Sequence, residues 1–180
     1  MSINNVISNI SLSNQLQLSS GQLDTRLASD AGLDASASGL IVSPSYQQLK
    51  HSLHVTSSQF KNLVGTRVQV IAAPAAGQII TVDNMEIFCD YGTAQYTVGG
   101  NLILQYGDVS YDANLAATAP IANTVFNAVA ADAMVRVAGT MTNLLAPPYA
   151  TGVYMAVQVN DFQTGDGDFY VTVWYKVYAP

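Results

Sequence analysis

The residues able to do chemistry are few and scattered along the chain. His51 and His54 are the two histidines. Three apart on a helix they would share a face and could hold a metal ion, but no third or fourth ligand stands near them, so polar surface histidines are the simpler reading. Cys89 is the single cysteine, which rules out an intrachain disulfide. No base lies near it in sequence to make it a nucleophile, and at the end of Ile87-Phe88-Cys89 it reads as a buried, inert thiol. Asp161, Asp166 and Asp168 crowd one loop, NDFQTGDGD. That spacing is partly that of an oxygen-ligand calcium loop, yet the other regular ligand positions and the bidentate glutamate are missing. Asp and Gly also occupy reversing loops for backbone reasons alone. Glu86 is the one glutamate, and no acid–base pair suited to glycoside cleavage emerges. Gly99-Gly100 lacks the lysine of a phosphate loop. The chain therefore reads as not an enzyme, with no catalytic, cofactor-binding or metal-ligating residue assigned and no cofactor expected.

Composition narrows the classes further. The 180 residues suffice for one well-cored domain. Only 10% are charged, against about 25% in an average globular protein. A free monomer ordinarily keeps a more charged surface, which suggests that other subunits cover much of this one. The formal net charge of −6 argues against nucleic-acid binding, which relies on clustered Lys and Arg. No apolar run approaches the ~18 residues of a membrane span. The opening MSINNVISNI has neither the basic start nor the apolar core of a signal peptide.

The chain divides near Lys61. Residues 1–60 hold 14 serines and five charged side chains, and their apolar residues (Ile3, Val6, Ile7, Ile10, Leu12, Leu16, Leu18) keep no sustained period. Turn formers fill SDAGLDASASGLIVSPS. Such a segment does not offset its ordering entropy by burying its own surface. The expectation is an extended N-terminal arm over 1–60 that orders against neighbouring subunits, the alternative being a disordered tail, and a folded domain over 61–180.

Strands dominate the chain beyond residue 60. Just before them, Thr56, Ser57 and Ser58 can cap a short helical turn carrying Phe60, Leu63 and Val64. Val68–Ala73 reads as a strand, Pro74 to Gly77 as a turn, and Gln78–Phe88 as a longer strand. Its inward face (Ile80, Val82, Met85) is interrupted near Asp83-Asn84, the pattern of a bulge. Turns at Tyr91-Gly92 and Gly99-Gly100 precede a strand over Asn101–Tyr106. Thr118 is expected to cap a short helix starting near Pro120, with Ile121, Val125, Phe126 and Val129 on its apolar stripe. Strand character returns at Val135–Val137. Val153–Val159 and Phe169–Val177 alternate with a period of two, as half-buried antiparallel strands do, and read as a C-terminal hairpin. The fold class expected is all-β, an antiparallel, jelly-roll-like β-sandwich with one short helix and an extended N-terminal arm.

Tyr170, Thr172, Trp174, Lys176 and Tyr178 share the second face of the last strand. Large aromatics with polar tips suit interfaces and sugar platforms alike. Tyr170, Trp174 and Tyr178 are therefore the candidate interface residues. The readings open at this point are cover by the chain's own helix or arm, a subunit contact, and a carbohydrate site.

Three stretches carry a family resemblance: Val70-Ile-Ala-Ala-Pro-Ala-Ala-Gly-Gln-Ile-Ile-Thr-Val82, Asp90-Tyr-Gly-Thr-Ala-Gln-Tyr96 and Leu102-Ile-Leu-Gln-Tyr-Gly107. Together with the aromatic strand Tyr170–Tyr178, they resemble small β-sandwich virion structural proteins of tailed bacteriophages, over about residues 56–180. The resemblance implies a non-enzymatic particle component located in the virion after synthesis in the host cytoplasm. Joined to the low-charge arm, it points to a capsid decoration (cement) protein. Such a protein would be a homo-oligomer, a trimer being favoured, bound chiefly to the major capsid protein, with no nucleic-acid or membrane partner. The alternative is a receptor-binding or adhesion module of a tail or head fibre that holds host surface glycan. Deleting residues 1–55 is expected to leave a folded domain that no longer joins particles.

Overall fold

A computed structural model describes residues 47–140 and 148–179 in full, and before them the backbone of four short strands. The chain forms two units, Met1–Tyr46 and Gln47–Pro180. In the first, β1 (Leu16–Ser19) pairs antiparallel with β2 (Gln22–Thr25), and β3 (Leu33–Ser36) with β4 (Gly39–Val42). The remainder of the expected arm before Gln47 lies outside the described residues.

The second unit is an antiparallel β-sandwich. Its larger sheet has the order β10-β7-β13-β5, and its smaller sheet the order β6-β11-β9. The larger sheet is made of β5 (Leu49–Val55), β7 (Ile79–Asp90), β10 (Ala133–Ala138) and β13 (Asp168–Tyr178). In β13, Phe169, Val171 and Val173 are fully buried while Tyr170 is exposed, as a two-residue period demands. β7 changes phase midway. Ile80 and Val82 point inward, then Met85, Ile87 and Cys89. Opposite, Trp174 pairs with Asn84 but Tyr175 with Val82, leaving Asp83 as the extra residue of a bulge. The bulge is tied down on both sides: Gln48 Nε2 donates to Asp83 Oδ2 at 2.7 Å, and Lys176 Nζ lies 3.5 Å from the same oxygen. Gly139 donates its amide to the Asp83 carbonyl at 2.8 Å. A Cβ on Gly139 would overlap the Val82 carbonyl oxygen, so the chain crosses the bulge at a glycine.

The smaller sheet holds β6 (Val68–Ile71), β9 (Leu102–Tyr106) and β11 (Val153–Val157). All five residues of β9 are buried, and residues 116–121 pair along its free edge. Ala117 donates to Leu104 O at 2.7 Å, and Leu102 and Ile121 exchange amide bonds at 2.9 and 2.8 Å. The same segment reaches the larger sheet, where Ala119 donates to Ala138 O at 3.1 Å. One side of the sandwich is thus closed by the chain itself. Tyr106 Oη crosses the interior to the Ile80 carbonyl at 2.9 Å. Burial raises its pKa to about 12.

Helix α1 (Ser57–Phe60) starts at the expected cap. The Thr56 hydroxyl accepts from the Gln59 amide at 3.3 Å, and Gln59 Oε1 accepts from the Thr56 amide at 2.9 Å, a reciprocal capping box. The helix delivers Phe60 into an aromatic cluster, with ring centroids 4.0 Å from Phe169, 4.6 Å from Phe162, 5.1 Å from Tyr96 and 5.3 Å from Phe126. Two short strands, β8 (Tyr96–Val98) and β12 (Phe162–Thr164), pair at this end of the unit and contribute two of those rings.

Four expectations change. The boundary placed at residue 60/61 falls at Tyr46/Gln47, since β5 is paired with β13 through seven residues and Phe60 is fully buried. A deletion of residues 1–55 would therefore strip a strand from the larger sheet. The C-terminal strands are not a hairpin: β11 lies in one sheet and β13 in the other, with β12 between them in sequence. Alternation reports which face a residue takes, not which strand it pairs with. Finally, Thr118 caps no helix. It is buried, and its Oγ1 accepts from the Leu104 amide at 3.0 Å. Helix α2 spans Asn123–Asn127 with Ala122 as its uncapped start. Phe126 is buried but Val125 is exposed, because five residues make too short a helix to present a full stripe.

Candidate functional site

The loop carboxylates lie close in sequence, but the fold spends each on a separate task. Asp161 Oδ1 accepts from the Val64 amide at 2.6 Å. Asp166 accepts from the Thr93 hydroxyl at 2.6 Å and from the Thr93 and Ala94 amides at 2.7 and 2.8 Å. Those bonds, led by the hydroxyl, hold its pKa down at about 2. Asp168 Oδ1 accepts from the Ser57 amide at 2.7 Å, and its Oδ2 lies 2.8 Å from His54 Nε2. Among the described residues, no three His, Cys, Asp or Glu side chains converge as a metal site would require.

The histidines stand on strand β5, not on a helix. A spacing of three then sends them to opposite faces. His54 stacks on Tyr170 with centroids 4.9 Å apart. His51 lines an apolar groove with Tyr175, Pro74 and Val177. Cys89 is buried, and burial, reinforced by the charges of Asp132 and Asp90, pushes its thiol up to about 11. At neutral pH such a thiol is protonated and a poor nucleophile.

What the fold does assemble is the outer face of the larger sheet. Cross-strand register aligns Met134, Phe88, Tyr170 and His54 in one row. Met134 is 66% exposed, Tyr170 47% and Phe88 36%. The row Arg136, Glu86, Thr172, Ser52 lies beside it, and beyond that the row Ala138, Asn84, Trp174, Lys50. The Ser52 and Thr172 hydroxyls are 2.9 Å apart. Trp174 is half-buried beneath two cations: the Arg136 guanidinium is 5.2 Å from its ring centre and the Lys50 ammonium 5.6 Å. Arg136 also donates to Asn84 Oδ1 at 3.3 Å. At the other end of the face, Asp90 pairs in register with Asp168.

Of the sequence candidates, Tyr170, Trp174 and Tyr178 share this face, Tyr178 at its far end and 44% exposed. Sequence reasoning missed Phe88, Met134, Lys50, Arg136 and His54 as members. Phe88 was detectable, since it sits between the inward Ile87 and Cys89. The others come from strands whose register no local pattern announces.

No family model and no curated protein sequence matches the chain. Among solved structures, a chain of the cyanophage Pam1 capsid asymmetric unit aligns with 24% identity over 72% of this chain and 83% of that one, with a TM-score of 0.38. Likeness at this level does not define a common fold.

Proposed function

We propose that this chain is a non-enzymatic structural protein of a bacteriophage virion, bound to the capsid shell as a decoration protein. The observation that carries the reading is the outer face of the larger sheet, where three large apolar side chains stand in one solvent-exposed row. Exposed rows of this kind mark contact surfaces. The groups that could act on a substrate are spent elsewhere: the loop acids hold backbone amides, and the thiol is buried. Low overall charge supports the same reading, and so does the resemblance of the stretches now seen as β6 to β9 and β13 to tailed-phage virion proteins. Residues 1–46, with only four charged side chains among them, supply further contacts to neighbouring subunits, and linked contacts multiply avidity. The covered ring of Trp174 weighs against the glycan-binding alternative, because sugar stacking uses a bare aromatic face.

The test is cryo-electron microscopy of purified particles, with co-sedimentation of added protein on particles that lack it. Density on the shell and saturable co-sedimentation are expected. Density confined to a tail or fibre, with binding to host polysaccharide, would overturn the decoration role.

A further inference from the structure

The two hairpins of the first unit sort their residues by polarity. β1 and β2 pair through Leu16↔Thr25, Gln17↔Asp24, Leu18↔Leu23 and Ser19↔Gln22. Opposed residues share a face, and neighbours along a strand alternate between faces. Leu16, Leu18, Leu23 and Thr25 therefore fall on one face, and Gln17, Ser19, Gln22 and Asp24 on the other. The β3–β4 register places Leu33, Ala35, Leu40 and Val42 together in the same way, opposite Asp34, Ser36, Gly39 and Ile41. The second hairpin repeats the first at a fixed offset of 17 residues, from Leu16 to Leu33 and from Gln22 to Gly39. A two-stranded hairpin is marginal in water until its apolar face is covered. Repeats cover such faces by stacking on further units of the same kind, and about three are needed for a self-contained array. This chain shows two, and among the described residues they remain separate two-stranded sheets.

We propose that this hairpin repeat is a self-association element, its apolar faces packing against those of other copies of the chain. The inference rests on reading the protein as a particle component and names the partner of residues 1–46. Other copies supply the like units that the two-repeat array lacks. Charge permits the arrangement. Neither apolar face holds a charged residue, and Asp24 and Asp34 belong to the opposite faces. Copies joined through the apolar faces thus bring no like charges together, which would otherwise disfavour self-pairing in an acidic chain. Two strands ~4.8 Å apart and four residues long at ~3.4 Å each give roughly 140 Å² per face. Two copies meeting through both hairpins bury on the order of 600 Å² in total, about half the ~1,200 Å² of a stable interface. Association is therefore weak in solution and strengthens where copies are held side by side.

The experiment traps the contact in the full chain with one added cysteine on either face. Leu18→Cys stands on the apolar face and Gln17→Cys next to it on the polar one. Wild type, whose single Cys89 is buried, is the control. Under a mild thiol oxidant, Leu18→Cys should form a covalent dimer at least ~10-fold faster than Gln17→Cys, read on a non-reducing gel. Mixing Leu18→Cys with Leu40→Cys covers contact between unlike hairpins. Equal rates on the two faces, or no trapping by any apolar-face cysteine, overturns the proposal, because chance collision favours neither face. Sedimentation velocity over a dilution series gives an independent reading. Leu18→Asp with Leu40→Asp should abolish the concentration dependence shown by wild type, and Gln17→Asp should keep it. Wild type that stays monomeric throughout, or association unchanged in the double variant, also overturns the proposal. The urea midpoint reported by Trp174 checks the second unit in every variant. Co-sedimentation with particles separates this inference from the reading beneath it. Particle binding by a chain that neither associates nor traps removes only the self-association, and its loss in the double variant would assign the apolar faces to the shell. Absent particle binding by wild type removes the particle reading, whatever the trapping shows.

Discussion

Replacing Phe60 by alanine tests the step at which structure and sequence part, the assignment of residues 49–60 to the folded body. Phe60 is fully buried at the centre of the aromatic cluster. Its ring stacks on Phe169 at 4.0 Å and on Phe162 at 4.6 Å, and meets Tyr96 and Phe126 edge-on. Truncating a buried phenylalanine to alanine costs about 3–5 kcal/mol, part of it for the cavity left behind. Stacked and edge-on ring pairs add ~0.5–1.5 kcal/mol each beyond area, so a position with four such partners belongs near the top of that range. A domain of this size has only about 5–15 kcal/mol in hand.

The assay is equilibrium urea unfolding of the full chain followed by the fluorescence of Trp174, the one tryptophan. With a urea dependence of about 2 kcal/mol per molar, a loss of ~4 kcal/mol moves the midpoint down by roughly 2 M. Phe60→Leu should fall between wild type and alanine, since it keeps most of the volume but none of the ring contacts. A loss below about 1 kcal/mol for Phe60→Ala is what a surface substitution would give. That result would refute the packing described and return residues up to 60 to the arm.

Other positions make separate claims. Asp166 has a folded pKa near 2, below its ordinary ~3.9. Its contribution is fully present above about pH 4 and lost as pH falls through about 2, so D166N should flatten the acid limb of a urea-midpoint titration between those values. An unchanged limb would discount the Thr93–Ala94 clasp. A Cβ on Gly100 would overlap the Gln158 carbonyl oxygen; Gly100→Ala should abolish soluble folded protein, while Gly77→Ala, with open space around it but a φ of +78°, should cost only about 1 kcal/mol. Normal expression of Gly100→Ala would contradict the close approach of β11's end to the 99–101 turn. Cys89, with its thiol near pH 11, exposes only about one thiolate in a thousand at pH 8. A disulfide reagent should label it only after denaturant is added, and rapid native labelling would show that the end of β7 opens.

How much of this was legible in the chain depended on whether the signal was local. A helix cap within Thr56–Ser58 and the phase change at Asp83 were readable because each is written within a few residues. Period-two alternation located β13 and β11, yet it could not say that they lie in different sheets. β5 was hidden for a physical reason. It is an edge strand with one face in water, so Lys50, Ser52 and His54 are outward and only Leu49, Leu53 and Val55 face the interior to any degree. That composition looks like the polar segment before it. The candidate face was legible in part on the same grounds. Tyr170, Trp174 and Tyr178 announce themselves along one strand, whereas Met134 and Arg136 join them only through the β10–β7–β13 register.

The two sheets differ in how the chain treats their outer sides, and the difference bears on function. β9 is buried on both faces because the segment 107–121 folds back over it. Gln105 organises that cover from within, its Nε2 donating to Val109 O at 2.6 Å and its Oε1 accepting from the Asp112 amide at 3.1 Å. No described segment of the second unit does the same for the row of Met134, Phe88 and Tyr170. Polar substitution of Met134, the most exposed of the three, would cost the fold little, because surface positions outside such networks shift stability by only about 0.5 kcal/mol. The fold therefore has little need of an apolar side chain at Met134, and a need outside the fold is what its exposure implies. Met134→Ser should accordingly leave the urea midpoint of the full chain almost unmoved while weakening binding to particles. A large loss of stability with particle binding intact would place Met134 in the core's service instead, and the assembly reading would lose its main support.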